Sequence, residues 1–144
     1  MNQSITIGEC TLEECVSVLG LWSEAGSANS VTDTVEVLGR LVKDSGDLFL
    51  VAREDDKVIG SIIGGWDGWR GHIYRLAVLP GYRRLRVAER LTKELEGRLA
   101  AKGAVRIFAL VEMEKPHGVG FWNSSAADGY GHAQGVGLYV KDAG

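Results

Sequence analysis

The stretch His72-Ile73-Tyr74-Arg75-Leu76-Ala77-Val78-Leu79 runs into Pro80-Gly81, then into a group of arginines, then into a leucine stripe. No other part of the chain restricts the fold as strongly. The first eight residues read as a strand, and Pro-Gly ends it. Val87, Leu91, Leu95 and Leu99, helped by Ala88, fall on one face of a helix that starts near Arg86, and Gly103 closes it. A strand, a tight turn and a helix start therefore lie end to end. The turn carries Arg83, Arg84 and Arg86, with Arg90 one helical turn further on. Cations at a helix start are unfavourable unless something negative sits among them. Free first-turn amides and planar guanidinium groups together match phosphate oxygens. On charge alone, a bound diphosphate and a solvated basic helix face remain equal readings.

The rest of the chain places this unit in a mixed sheet. Residues 4–10 read as a short strand. Thr11 and Glu14 form a capping box ahead of a helix with Leu12, Cys15, Val16, Leu19 and Trp22 on one face. Asp33 and Glu36 suggest a second N-cap, before the stripe Val35, Leu38, Leu41, Val42 and the stop at Gly46. Residues 48–52 and 58–66 pair as a hairpin around the polar turn 54–57. Residues 105–111 form an apolar strand. A Gly-weakened helix spans about 116–127, and a last short strand covers 136–140, with room for one more near Tyr130. The expected order is β-α-α-β-β-β-α-β-α-β, an α/β fold with a mixed sheet layered by helices, in a single domain of 144 residues.

Composition narrows the function classes. The net charge is −3, so bulk attraction to nucleic acid or to an anionic membrane is not expected, and any basic site is local. No apolar run approaches the roughly 20 residues of a membrane helix, and no signal-peptide pattern opens the chain. Cys10 and Cys15 make a poor disulfide framework and read as reduced thiols, which points to the cytoplasm. His72, His117 and His132 lack metal-ligand spacing, so no metal is expected. Trp66 and Trp69 have three open placements: an acceptor pocket, a dimer surface or the core. Trp22 reads as core.

The segment 73–88 resembles the cofactor-binding motif of the GNAT family of N-acetyltransferases, small bacterial type. Members read as a strand ending L-A-V-x-P-x-Y-R, a turn Q/R-x-x-G-x-G/A and a helix. Leu76-Ala77-Val78, Pro80, Tyr82-Arg83 and Ala88 stand in those places. Val111-Glu112, Gly120-Phe121-Trp122 and Gly129-Tyr130 resemble the family's later motif, and 65–71 resembles its loop before the cofactor strand. The resemblance covers nearly the whole chain. It implies the GNAT acyl-CoA N-acyltransferase fold with splayed central strands, acetyl-CoA (coenzyme A) as cofactor, and direct attack of a primary amine on the thioester.

By the same resemblance, Leu76, Ala77 and Val78 lie along the pantetheine, with the amide near Val78 as oxyanion donor. Arg83, Arg84, Leu85, Arg86, Val87 and Ala88 hold the pyrophosphate, and Lys115 stands where an Asn often meets the cofactor. Three positions depart from the family pattern: Arg86 replaces the turn's central Gly, Lys115 that Asn, and Trp122 the usual Tyr acid. Indole N–H is a poor acid, so Trp122 does not inherit that role. Two catalytic candidates remain. Glu112 is either a base working through water or a solvated strand end. Tyr130 is either the acid or a packed aromatic. The partner implied is a small-molecule or peptide amine acceptor, with homodimers common among relatives. The competing reading, motivated by the three departures, is an acyl-CoA-binding module of the same fold with weak or no catalysis.

Overall fold

The computed structural model describes residues 4–27 and 29–143. Strands β1 (Ile5–Glu9), β2 (Phe49–Glu54), β3 (Lys57–Trp66), β4 (Gly71–Val78) and β5 (Ile107–Ala109) form one sheet in sequential order. The first three pairings are antiparallel and β4–β5 is parallel. Helices α1 (Cys15–Ala25), α2 (Val35–Ser45), α3 (Val87–Lys102) and α4 (Pro116–Trp122) complete the chain.

The two faces of β3 show how the layers are built. Gly60 and Gly64 face α3, where an added Cβ would meet Leu91, Val87 and Leu95. Ser61, between them, faces the other way and accepts the indole N–H of Trp22 on α1 at 2.9 Å. The alternation of a strand therefore places α1 and α3 on opposite faces of the sheet. Phe49, Ile59, Ile62, Ile73, Leu91, Leu95 and Leu99 fill the core. Cys10 and Cys15 are free and buried, and desolvation pushes the Cys10 thiol up to about 12, which makes it inert near neutrality.

The capping box forms as its spacing requires. Glu14 donates its amide to Thr11 Oγ1 at 3.3 Å, and Thr11 donates its amide to Glu14 Oε1 at 3.0 Å. Arg53 of β2 then donates to both Glu14 oxygens, at 2.6 and 2.7 Å, and to the Glu9 carbonyl at 2.7 Å. One carboxylate thus fixes the helix start to the sheet. The Arg53 bond, followed by the Thr11 amide, holds the Glu14 carboxyl below its usual 4.5. A carboxyl held low in the fold adds stability above its unfolded pKa, and that stability drains away as pH falls through the folded value. Glu14→Gln is expected to cost about 1–2 kcal/mol at pH 7 and to flatten the acid limb below pH 4.5. Urea titrations between pH 3 and 7 would measure both effects.

Several expected elements are corrected by the structure. Thr34 caps α2, its hydroxyl oxygen accepting from the Val37 amide at 3.1 Å. Asp33 accepts from the Ser30 amide at 3.1 Å and from Arg75 instead. Helix α4 stops at Trp122, where Ser124 starts a separate 3-10 turn over Ser125–Ala127. Strand β5 keeps three of the seven expected residues, because only Gly71–Ile73 of β4 stays alongside it. Residues 136–140 form no strand, and neither does the chain at Tyr130. Gly131, Gly135 and Gly137 raise the ordering cost of this tail. It buries little in return, with Tyr139 98% exposed.

Candidate active site

The site begins where the sheet comes apart. β4 and β5 pair from Gly71↔Ile107 to Ile73↔Ala109, and Leu110 donates its amide to the Ile73 carbonyl at 3.0 Å. Beyond that bond β4 continues for five residues while the segment after β5 turns away. β4 also bulges there. Ser61 pairs with Ala77 but Ile63 with Tyr74, so Arg75 and Leu76 together oppose Ile62. Arg75 takes up the extra residue in a left-handed conformation, φ 54°. A cleft of about 880 Å³ opens along this split.

Past the bulge, the amides can be assigned a direction. Leu79 donates its amide to the Ile59 carbonyl at 2.9 Å, so it faces β3. Backbone groups alternate edges along an antiparallel pair. Val78, opposite Gly60, therefore turns its N–H and C=O toward the open side, into the cleft.

The turn after β4 follows. Pro80–Tyr82 form one 3-10 turn, with Tyr82 bonded to Leu79, Arg83 to Pro80 and Leu85 to Tyr82 through backbone amides. Among the described residues the amides of Arg84, Arg86, Val87, Ala88 and Glu89 have no protein acceptor, and the first helical bond of α3 is Arg90 N–H to Arg86 O at 3.0 Å. This corrects the expected cradle: the Arg83 and Leu85 amides are used internally, and four of the six residues 83–88 keep free donors. The unpaired donors suit a polyanion such as a diphosphate.

The arginines have separate roles. Arg83 lines the cleft and donates to the Ala25 carbonyl at the end of α1, 3.4 Å away. Arg90 donates to the Ile5 carbonyl at 2.9 Å and so braces α3 against β1. Arg84 is exposed beside the free amides. Arg86 has an 84% exposed side chain, 3.8 Å from Glu89. It sits outside the cleft, next to Ile5 and Ile7 in a shallow groove on the β1 side. Its backbone nonetheless has φ 60°, the left-handed geometry that favours Gly. Arg86→Gly is expected to raise stability by up to about 1 kcal/mol, which thermal melts would measure.

The cleft gathers Leu76, Ala77, Val78, Arg83, Ala88 and Lys115 from the cofactor-binding set, together with Glu112. Leu85 lines the other groove with Arg86, and Val87 is buried under the helix start. Tyr130 is not in the cleft lining. Its hydroxyl donates to Glu96 Oε2 at 2.8 Å, and its ring meets Trp122 edge-on at 4.8 Å. Burial and the Glu96 carboxylate push its phenol well above the ordinary range. Trp122 itself lines the cleft. Trp66 packs against the core, while Trp69 is exposed under the Arg70 guanidinium at 3.9 Å.

Sequence reasoning missed the group that closes the other end of the cleft. Arg75 donates to both Asp33 oxygens at 2.9 and 2.7 Å, lies 4.7 Å over the Trp22 ring, and has Nη1 3.9 Å from Glu112 Oε1. Ser27, Asn29, Ser30, Glu114 and His117 also line the cleft. One signal was available in the sequence. Period-two alternation puts Arg75 on the buried face of Ile73 and Ala77, where a cation needs either a partner or a bulge.

The comparisons agree with this geometry. Residues 17–126 match the Acetyltransferase (GNAT) family. An acetyltransferase of Pectobacterium atrosepticum is 32% identical over 106 residues, 74% of this chain and 75% of its own. An acetyltransferase of Sodalis glossinidius is 38% identical over 94 residues, 65% and 66% of the two chains. The PaiA N-acetyltransferase of Thermoplasma acidophilum, solved in complex with coenzyme A, superposes with a TM-score of 0.71 at 21% identity, over 83% of this chain and 86% of that one. The chain belongs to the GNAT acetyltransferase family and has its fold, built here on a five-stranded mixed sheet. No helix among the described residues is long and apolar enough to cross a membrane.

Proposed function

We propose that the protein transfers the acetyl group of acetyl-CoA to a primary amine by direct attack. The observation that carries this reading is the continuity of two features: a row of unpaired amides at the start of α3, and the cleft edge onto which Val78 turns its N–H. A diphosphate on the first places a thioester arm along the second. The amides of Arg84, Arg86, Val87 and Ala88 would hold the phosphates, with Arg83 and Arg84 adding charge. Leu76, Ala77 and Val78 would flank the arm. Lys115, at the start of α4, supplies a further cation for the anionic cofactor.

Bound acetyl-CoA supplies an activated acyl carbon. The chain supplies the rest. The Val78 N–H stabilises the carbonyl oxygen as negative charge grows on it. The amine must lose a proton as the C–N bond forms. Glu112, which lines the cleft together with Glu114, would take it through a water chain. Tyr130, bonded to Glu96 away from the lining, is a poor proton source for the departing sulfur. That supports a thiolate that leaves unassisted or is protonated by water. The same observation, with Trp122 lining the cleft, favours the second reading, a CoA-binding module with weak catalysis.

One pair of measurements separates them. Calorimetric titration with acetyl-CoA should give saturable binding, and free-thiol release should rise with at least one amine from a panel of spermidine, L-lysine amide, kanamycin A and an unblocked peptide. Binding without release for every amine would leave the module reading. Absence of CoA binding would remove both.

A further inference from the structure

We propose that Arg75 is a positioning residue for acyl transfer, tying the loop between α1 and α2 to the strand that presents Val78 and so fixing where the amine sits against the acyl carbon. The inference rests on the acetyltransferase reading above. It starts from a strained and expensive arrangement. A non-glycine residue at φ 54° is strained and persists only where its surroundings over-determine it. Here they do, through a closed circuit. The Trp22 indole donates to Ser61 Oγ at 2.9 Å, and Ser61 donates to the carbonyl of Arg75 at 3.0 Å. The Arg75 guanidinium returns to lie over the same indole at 4.7 Å. Backbone and side chain of the bulge are thereby held from both ends.

The guanidinium then reaches outward. Its Nη2 bonds both oxygens of Asp33, and those oxygens also take the Ser30 amide at 3.1 Å and the Ser30 hydroxyl at 3.2 Å. Ser30, with Asn29 and Ser27, lines the cleft. Arg75 therefore anchors the acceptor-side wall to β4 itself. Glu112, on the opposite wall, has Oε1 3.9 Å from Nη1. Arg75 thus lies between the loop and the proposed base, three residues from the amide that faces the acyl oxygen. Displacing a substrate by about 1 Å can cost on the order of a hundredfold in rate. The spacing of these two walls is what Arg75 sets. A residue that merely stabilised the fold would affect both substrates alike.

The experiment uses the full chain, acetyl-CoA and whichever amine of the panel gives the fastest thiol release. Arg75→Lys keeps the charge but loses the planar fork. Asp33→Asn keeps the shape but loses the charge. Each is expected to lower kcat/KM for the amine by about 10- to 100-fold while CoA affinity by calorimetry stays within about twofold. Amide exchange across residues 29–34 should quicken in Asp33→Asn. Should Arg75→Lys fail to fold, Asp33→Asn alone decides. Unchanged kcat/KM for the amine in the folded variants overturns the proposal, as does a parallel loss of CoA affinity. Wild-type protein that binds CoA but releases thiol with no amine overturns the transferase reading itself, and with it this role.

Discussion

Replacing Arg83 and Arg84 together by glutamate is expected to weaken CoA binding by on the order of a hundredfold or more, and to leave pantetheine binding nearly unchanged. Hydrogen bonds to charged groups contribute about 1.5–3 kcal/mol each, and reversal of sign adds repulsion from two new carboxylates. Both residues flank the unpaired amides of the turn, Arg83 from within the cleft and Arg84 from the exposed side. Pantetheine carries no phosphate, so it has nothing for these side chains to repel. Calorimetry with the two ligands in low and moderate salt gives the comparison, and the deficit for CoA should shrink as salt rises. Equal losses for CoA and pantetheine would contradict the placement of phosphates on this turn. Arg83 also donates to Ala25, so Arg84→Glu alone, which breaks no bond among the described residues, is the cleaner half of the pair.

The second large effect concerns stability. Gly64→Ala is expected to destabilise the fold by about 2 kcal/mol, lowering the thermal midpoint by roughly 6 °C for a chain of this size. A Cβ at residue 64 would stand 2.5 Å from Leu95 Cδ1 and 3.3 Å from Leu48 Cβ. Leu95 is fully buried, so it cannot swing into solvent to make room. Leu95→Ala alone should cost about 3 kcal/mol through the cavity it leaves. The two together should cost clearly less than the sum, because the new methyl occupies space that the leucine vacates. Additive losses in urea denaturation would mean that α3 and β3 are not pressed together at this point.

The elements best read from sequence are those whose signals are local. The capping box at Thr11 and Glu14, the leucine stripe of α3 and the Pro-Gly stop after β4 all rest on spacing within a few residues, and each is found where spacing put it. Asp33 misled because it sits one residue before the true cap, and its carboxylate is drawn to Arg75, 42 positions away in the sequence. Residues 136–140 misled because apolar alternation promises a strand only if a neighbour is there to pair with it. The free amides after β4 were legible because a turn and a helix start make their own donors. The group around Arg75 was not. It is assembled from Ser30, Asp33, Arg75 and Glu112, brought together only by the bulge and by the parting of β4 from β5. Tyr130 was a candidate because of its place in a motif, and its position against Glu96 depends on how α3 lies.

The parting of β4 from β5 has one more implication. Past the bulge, the abandoned strand keeps the N–H and C=O of Val78 turned to an open edge, with nothing to zip onto. Pantetheine carries two secondary amides in a linear arm. Such an arm, lying where β5 has left β4, could take the place of the missing neighbour as a surrogate strand.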